Sequence, residues 1–275
     1  MSLGAADITA VISLLREVSA TEIMPRFKRL AAADTRFKSG PLDPVTVADE
    51  AAEKALTAGL KSLYPETDVL GEESVAADPH LLQRLGRPGP VWVIDPIDGT
   101  ANYASDLPVF GVMLALVEAD KILAGFIHDP VTDDTAIAIF NGGAWIQSRD
   151  GTRKSLRTAA ACPVSQMTGA LSWRFLSEPL KSRVISRMSK LAATFDLRCA
   201  AHQYRMIAAG HCHAMLFRKT LPWDHCAGVL LFTEAGGHVA RFDGAPYRPS
   251  ETTGGLLLAP DKESWKELHK TLLEE

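Results

Sequence analysis

Val91-Trp92-Val93-Ile94-Asp95-Pro96-Ile97-Asp98-Gly99-Thr100 is the stretch on which the reading of this chain turns. Its first four residues are β-branched or aromatic, the composition of a short buried strand. The run stops at Asp95, and Pro96, which has no N–H to give, predicts that a central strand does not continue through it. Asp95 is therefore expected at a strand end, facing a cleft rather than a core. Asp98 follows three residues on, in a turn that Gly99 allows to be tight. Two carboxylates on so short a loop repel each other unless a cation lies between them. Thr100 opens the next segment, where a hydroxyl and unpaired backbone N–H groups suit an anion. A strand, an Asx turn and a helix cap use the same residue types. Directly after a hydrophobic strand, however, Asp-Pro-Ile-Asp-Gly-Thr puts cation and anion sites on one loop, and metal-assisted phosphoryl chemistry needs both.

The rest of the chain sets bounds. With 275 residues and 47% hydrophobic content it can bury a large core, as one domain or two closely joined halves. A formal net charge of −4 gives no footprint for nucleic acid. No apolar run reaches the length of a membrane span, and the first twenty residues lack the pattern of a signal peptide. Cys162, Cys199, Cys212 and Cys226 show no paired spacing, so reduced thiols and a cytoplasmic location are expected. Met1-Ser2-Leu3 is set aside from the fold reading.

Periodicity divides the chain at about residue 150. In 1–150, Ile8, Val11, Ile12, Leu15 and Val18 predict a long helix from Ala5 to about Ala33, kinked or split at Pro25. A second helix is expected from Thr46, with Asp49 three residues on in the manner of a capping box, and Pro65 ends it. A short strand to Gly71 delivers Glu72 and Glu73 at its mouth; alone, they read equally as a solvated acidic turn. Phe110–Glu118, Ile122–Asp129, Thr135–Phe140 and Ala144–Gln147 are strands with short turns, hence antiparallel. In 151–275, strand and helix alternate, with an apolar helix over Trp223 to Ala235 ended by Gly236-Gly237. Asp224 stands where that helix begins and reads as its N-cap. His211 and His213 alternate but lack further soft ligands at metal spacing.

From about Lys38 to about Gly237 the chain resembles the inositol monophosphatase family of Mg²⁺-dependent, lithium-sensitive phosphatases. The resemblance is carried by Asp95-Pro96-Ile97-Asp98-Gly99-Thr100 with Asn102, by Pro44 to Asp49, by Gly71-Glu72-Glu73, and by Trp223-Asp224 with Ala227-Gly228. It implies an α+β fold, a layered α-β-α-β-α sandwich of the inositol monophosphatase / fructose bisphosphatase type. The two helices before residue 64 would cover the antiparallel sheet, and a homodimer is expected. It further implies metal ligands Glu72, Asp95, Asp98 and Asp224 with the carbonyl of Ile97, holding two or three Mg²⁺. Glu72 and Thr100 would orient the attacking water, with Asp49 assisting, and Gly99 and Thr100 would hold phosphate oxygens. Lys38 falls where the family often keeps a basic residue over the site, and Ala200 falls in the family's small-residue segment. Seven residues before the late Asp, inositol-specific members place a Glu that grips ring hydroxyls; here the position is Phe217. Arg198, Arg218 and Lys219 either favour an extra negative group on the substrate or are solvated surface charges. The expected reaction is hydrolysis of a small phosphate monoester. The alternatives are the same chemistry on a nucleotide bisphosphate or histidinol phosphate, or a regulatory protein that keeps the fold and acts through partners.

Overall fold

The computed structural model describes residues 3–38 and 40–274; Met1, Ser2, Ser39 and Glu275 lie outside it. In chain order the first half comprises α1 (Ala5–Val18), β1 (Thr35–Phe37), β2 (Pro44–Thr46), α2 (Val47–Leu63), β3 (Asp68–Gly71), α3 (Glu72–Ala77), β4 (Pro90–Asp98), α4 (Thr100–Tyr103) and β5 (Gly111–Glu118). It continues with β6 (Lys121–Asp129), β7 (Asp134–Ile139), β8 (Gly143–Gln147) and β9 (Arg153–Ser155). The second half holds β10 (Thr168–Leu171), α5 (Leu180–Arg187), β11 (Ala193–Phe195), α6 (Ala200–Ala208), β12 (Ala214–Phe217), α7 (Pro222–Glu234), β13 (His238–Arg241), β14 (Leu256–Ala259) and α8 (Lys262–Leu272).

Five layers follow from how each strand divides its side chains. The first sheet has the order β3-β4-β5-β6-β7-β8-β9 and is antiparallel except for the β3–β4 pair. One of its faces, with Trp92, Ile94, Leu114 and Phe126, packs on Val11, Leu15, Leu56 and Leu60 of α1 and α2. The opposite face, with Val91, Val93, Met113 and Ala136, packs on Tyr204 of α6 and on Ala227 and Leu231 of α7. The same core takes in Met215, Phe217 and Leu258 from one face of the second sheet, whose order is β11-β10-β12-β14-β13. Its far face, with Leu171, Leu216 and Leu257, is closed by Val184 of α5 and Leu268 of α8. The architecture is the expected α-β-α-β-α sandwich.

Three local expectations need correction. α1 does not reach Ala33: it passes into one wider turn, Ser19–Ile23, and stops before Pro25, whose ring and missing N–H bar continuation. The central strand does not stop at Asp95. β4 runs to Asp98, with its pairing to β5 irregular between Asp95, opposite Met113, and Asp98, opposite Gly111. Pro96 falls inside that irregularity, where no ladder N–H is required of it. Asp224 is not the N-cap of α7: Leu221 caps, Pro222 takes the first helical position, and Asp224 lies within the first turn.

Candidate active site

The irregularity in β4 positions the site. Residues alternate along a strand, so Val91, Val93 and Asp95 share the face turned toward α6 and α7. At regular pairing, Asp98, an odd number of residues further on, would face α1 and α2. The shift in register brings it back, and Asp95, Asp98 and Asp224 each place a carboxylate oxygen within 4.8 Å of the others. Parallel pairing of Gly71 with Ile94 sets Glu72 at the neighbouring strand end. A cleft of about 250 Å³ opens there, lined by Glu72, Asp95, Ile97, Asp98, Gly99, Thr100, Ala200, Phe217 and Asp224.

Each acid is held differently. Asp98 Oδ2 accepts the Ala201 N–H at 2.7 Å and the Cys199 thiol at 2.9 Å, so it caps α6 from outside that helix. Asp224 sits in the first turn of α7, so two helix N-termini meet the cluster and their dipoles favour its negative charge. Asp95 is 2% exposed, and its Oδ1 has no hydrogen-bond partner. Glu72 lines the same cleft, but its Oε1 takes Lys38 Nζ at 2.5 Å, while Glu73 takes the same ammonium at 2.9 Å. Lys38 does not itself line the cleft; it is engaged in holding these two glutamates.

Electrostatics without a cation are unfavourable. Burial, then Glu72, Asp98 and Asp224, pushes the Asp95 carboxyl well above the usual range. Burial and Asp98 raise Asp224 to about 7. Burial raises Glu72 to about 8, outweighing Lys38, while Asp224 adds to the rise. Lys38 is pulled down by its own burial but held above its ordinary value by Glu72 and Glu73.

Asp49 lies just behind the loop. Its Oδ2 accepts the Thr46 N–H at 2.9 Å and the Thr46 hydroxyl at 2.5 Å, completing the expected capping box of α2. Its Oδ1 lies 3.0 Å from Thr100 Oγ1, which is also 2.9 Å from the Ile97 carbonyl. Burial raises Asp49 to about 6, against the pull of its hydrogen bonds to Thr46 and Thr100. Gly99 has φ +88°, and a side chain there would meet the Val109 carbonyl at 2.9 Å, so only glycine fits the bend. Phe217 forms a wall, stacked on Tyr204 with centroids 5.6 Å apart and edge-on to His225 at 4.7 Å.

Sequence reasoning missed Glu53. Buried on α2, it accepts the Glu73 and Ser74 N–H groups at 2.7 and 2.8 Å and so holds the start of α3, where Glu72 sits. A Cβ on Gly71 would lie 2.1 Å from its carboxyl carbon. The signal was there: Glu53 is four residues after Asp49, on the same stripe as Ala52, Leu56 and Leu60. Asn102, fully buried, donates to the Val109 and Leu197 carbonyls at 2.9 and 2.8 Å and ties this loop to the second half.

Comparison with known proteins agrees with this geometry. The model of the inositol monophosphatase family matches residues 6–275. An inositol-1-monophosphatase of Mesorhizobium japonicum is 31% identical over 209 residues, 74% of each chain. A protein of Xylella fastidiosa named Nus factor SuhB is 31% identical over 211 residues, 74% of this chain and 71% of that one. The solved IMPase of Thermotoga maritima shares the fold, with a TM-score of 0.80 at 24% identity over 97% of this chain and 98% of that one. This chain is a phosphatase belonging to the inositol monophosphatase family.

Proposed function

We propose that the protein hydrolyses a small phosphate monoester, of the kind inositol monophosphate represents, with Mg²⁺ as its cofactor. The observation that carries this is the cluster of Asp95, Asp98 and Asp224, grouped about the buried Asp95, whose Oδ1 is unpartnered. A buried carboxylate oxygen without a hydrogen-bond donor calls for a cation, and an all-oxygen donor set suits a hard one such as Mg²⁺. Asp95, Asp98, Asp224, Glu72 and the Ile97 carbonyl would hold two or three such ions. When bound, they neutralise phosphate charge and acidify water. The chain's own residues do the rest. Lys38 holds the Glu72 carboxylate toward the cleft until a cation takes over that charge. Thr100 offers its hydroxyl to orient the attacking water, with Asp49 behind it to accept a hydrogen bond or a proton. Gly99 and Thr100 line the cleft where phosphate oxygens would sit. Phe217 supplies an apolar wall that discriminates little among polyols, since apolar contacts separate ligands by only about 1–3 kcal/mol.

A homodimer, a cytoplasmic setting and inhibition by lithium, a small monovalent ion suited to the same oxygen donors, go with this reading. Among the described residues no helix is long and apolar enough to cross a membrane. The alternative class is a regulatory protein, since one relative carries the name Nus factor; the intact acid cluster favours catalysis, because partner binding alone needs none of it. The test is release of phosphate from a panel of monoesters with and without Mg²⁺, followed over a millimolar lithium series. Turnover that needs Mg²⁺ and falls with lithium is expected. No turnover of any ester, despite bound metal, would favour the regulatory role.

A further inference from the structure

Behind the cleft wall lies a buried polar pair, Tyr204 of α6 and His225 of α7. The Tyr204 hydroxyl is 2.9 Å from His225 Nδ1, and His225 Nε2 is 2.9 Å from the Lys219 carbonyl. A carbonyl only accepts, so Nε2 carries the hydrogen. Burial keeps the ring neutral, which leaves Nδ1 to accept from the Tyr204 hydroxyl. One imidazole thus joins α6, α7 and the segment that follows β12. The packing around it is equally specific. His225 meets the rings of Tyr204 and Phe217 edge-on, at 5.9 and 4.7 Å between centroids. The Tyr204 ring occupies the space over Gly228, where a Cβ would come within 2.1 Å of it. Gly228 is one turn beyond Asp224, so α6 and α7 approach closely just behind the acid cluster.

Both helices of the pair carry the cluster. Ala201, in the first turn of α6, gives its N–H to Asp98 at 2.7 Å, and Tyr204 follows three residues on, along the same side of that helix. Asp224 directly precedes His225 in the first turn of α7. Asp98 and Asp224 come from distant segments, and their carboxylates lie within 4.8 Å only while the two helix starts keep their spacing. Like charges that close push the helices apart. Among the described residues, the Tyr204–His225 bond is the one side-chain hydrogen bond that joins α6 to α7. We propose that this bond is a positioning device for the metal site: it holds the starts of α6 and α7, and with them Asp98 and Asp224, close enough to share a cation. The inference rests on the metal-dependent phosphatase reading above and adds two residues that act through the ligands rather than as ligands.

Tyr204→Phe deletes the hydroxyl and keeps the ring on Gly228 and Phe217, so it separates the bond from the packing. His225→Gln keeps an N–H for the Lys219 carbonyl and gives up Nδ1. Titration calorimetry with Mg²⁺ alone, on the substrate-free protein, is expected to show binding about tenfold or more weaker in each variant, as for partners that orient a metal ligand. The Mg²⁺ concentration for half-maximal phosphate release from myo-inositol 1-phosphate should rise by the same factor, with KM at saturating Mg²⁺ little changed. The double variant should bind Mg²⁺ no more weakly than the weaker single one, because both changes remove the same bond. Ile12→Val, in the outer helix layer, supplies the comparison for lost stability alone: its melting temperature falls and its Mg²⁺ binding stays at the wild-type level. Wild-type Mg²⁺ binding in Tyr204→Phe and His225→Gln, or an equal weakening in Ile12→Val, overturns the positioning role and leaves the phosphatase reading standing. A wild type that neither binds Mg²⁺ nor releases phosphate overturns both.

Discussion

Asp98 and Asp95 show how two identical side chains, three residues apart, come to different uses. Asp98 spends one oxygen on the Ala201 N–H and the Cys199 thiol, so it is partly satisfied without any ion. Asp95 has an oxygen with nothing to accept, and its charge is opposed by Glu72, Asp98 and Asp224. Changing Asp95 to Asn keeps the volume and removes one of the repelling charges. We expect Asp95→Asn to lower kcat/KM by more than about 100-fold at saturating Mg²⁺, because a metal ligand is lost. The same change should raise the melting temperature of the metal-free protein, because like charges in a buried site destabilise it. Asp224→Asn should behave alike. Near wild-type turnover in either variant would remove the cluster from the chemistry. At this scale the sequence was legible wherever the chemistry sat in one contiguous run, as in Asp95 to Thr100. It was illegible where a group acts across the fold. Glu53 looks like any helix glutamate until α3 is seen to begin against it.

A single break of register in β4 decides what the neighbouring elements can deliver. It turns Asp98 toward the layer that holds α6 and α7, and both helices begin at the acids. The sequence marked Pro96 as disruptive but not the form of the disruption, because a missing N–H can end a strand or be absorbed in a bulge. The β3–α3 junction is just as constrained. Gly71 leaves room for Glu53, which accepts the first N–H groups of α3 and thereby fixes Glu72. In Gly71→Ala the new methyl overlaps the Glu53 carboxyl, so either the junction opens or the caps are lost. A cost of about 1–3 kcal/mol is expected in urea unfolding. A higher Mg²⁺ concentration for half-maximal activity should accompany it, since Glu72 is displaced. If Gly71→Ala matches the wild type in both, Glu53 is not what positions Glu72.

The five layers were legible in outline because the outer helices α1, α2 and α8 bury one face each and so carry a period, while the sheet strands, buried on both faces, showed as apolar runs between short turns. The middle layer is different. α7 is buried on nearly every side between two sheets, from Trp223 to Phe232, and so has no polar stripe to betray its orientation. β9 and β11, each of three residues, are too short to show alternation. Burial on this scale also traps titratable groups, and His128 in β6 gives a test of the whole molecule. It is 1% exposed, with Nδ1 3.0 Å from the Thr135 hydroxyl. Burial lowers it to about 4; Asp133 and Asp129 oppose that shift, and Arg16 and Arg205 reinforce it. Its ordinary value is 6.5, so the unfolded chain binds this proton at a higher pH than the folded one. Stability from this group is therefore present above pH 6.5 and is lost progressively as the pH falls toward 4. His128→Gln retains a partner for Thr135 and abolishes the titration. Between pH 7 and pH 5 the wild type should lose about 2 kcal/mol more than the variant, measured by urea unfolding of both metal-free proteins at each pH. The buried acids act in the opposite sense, since their raised values favour the folded state as pH falls, but they are common to both proteins and cancel in the comparison. Parallel pH dependences would mean that the folded protein admits the proton, and that the core between the outer helices and the first sheet opens to water at His128.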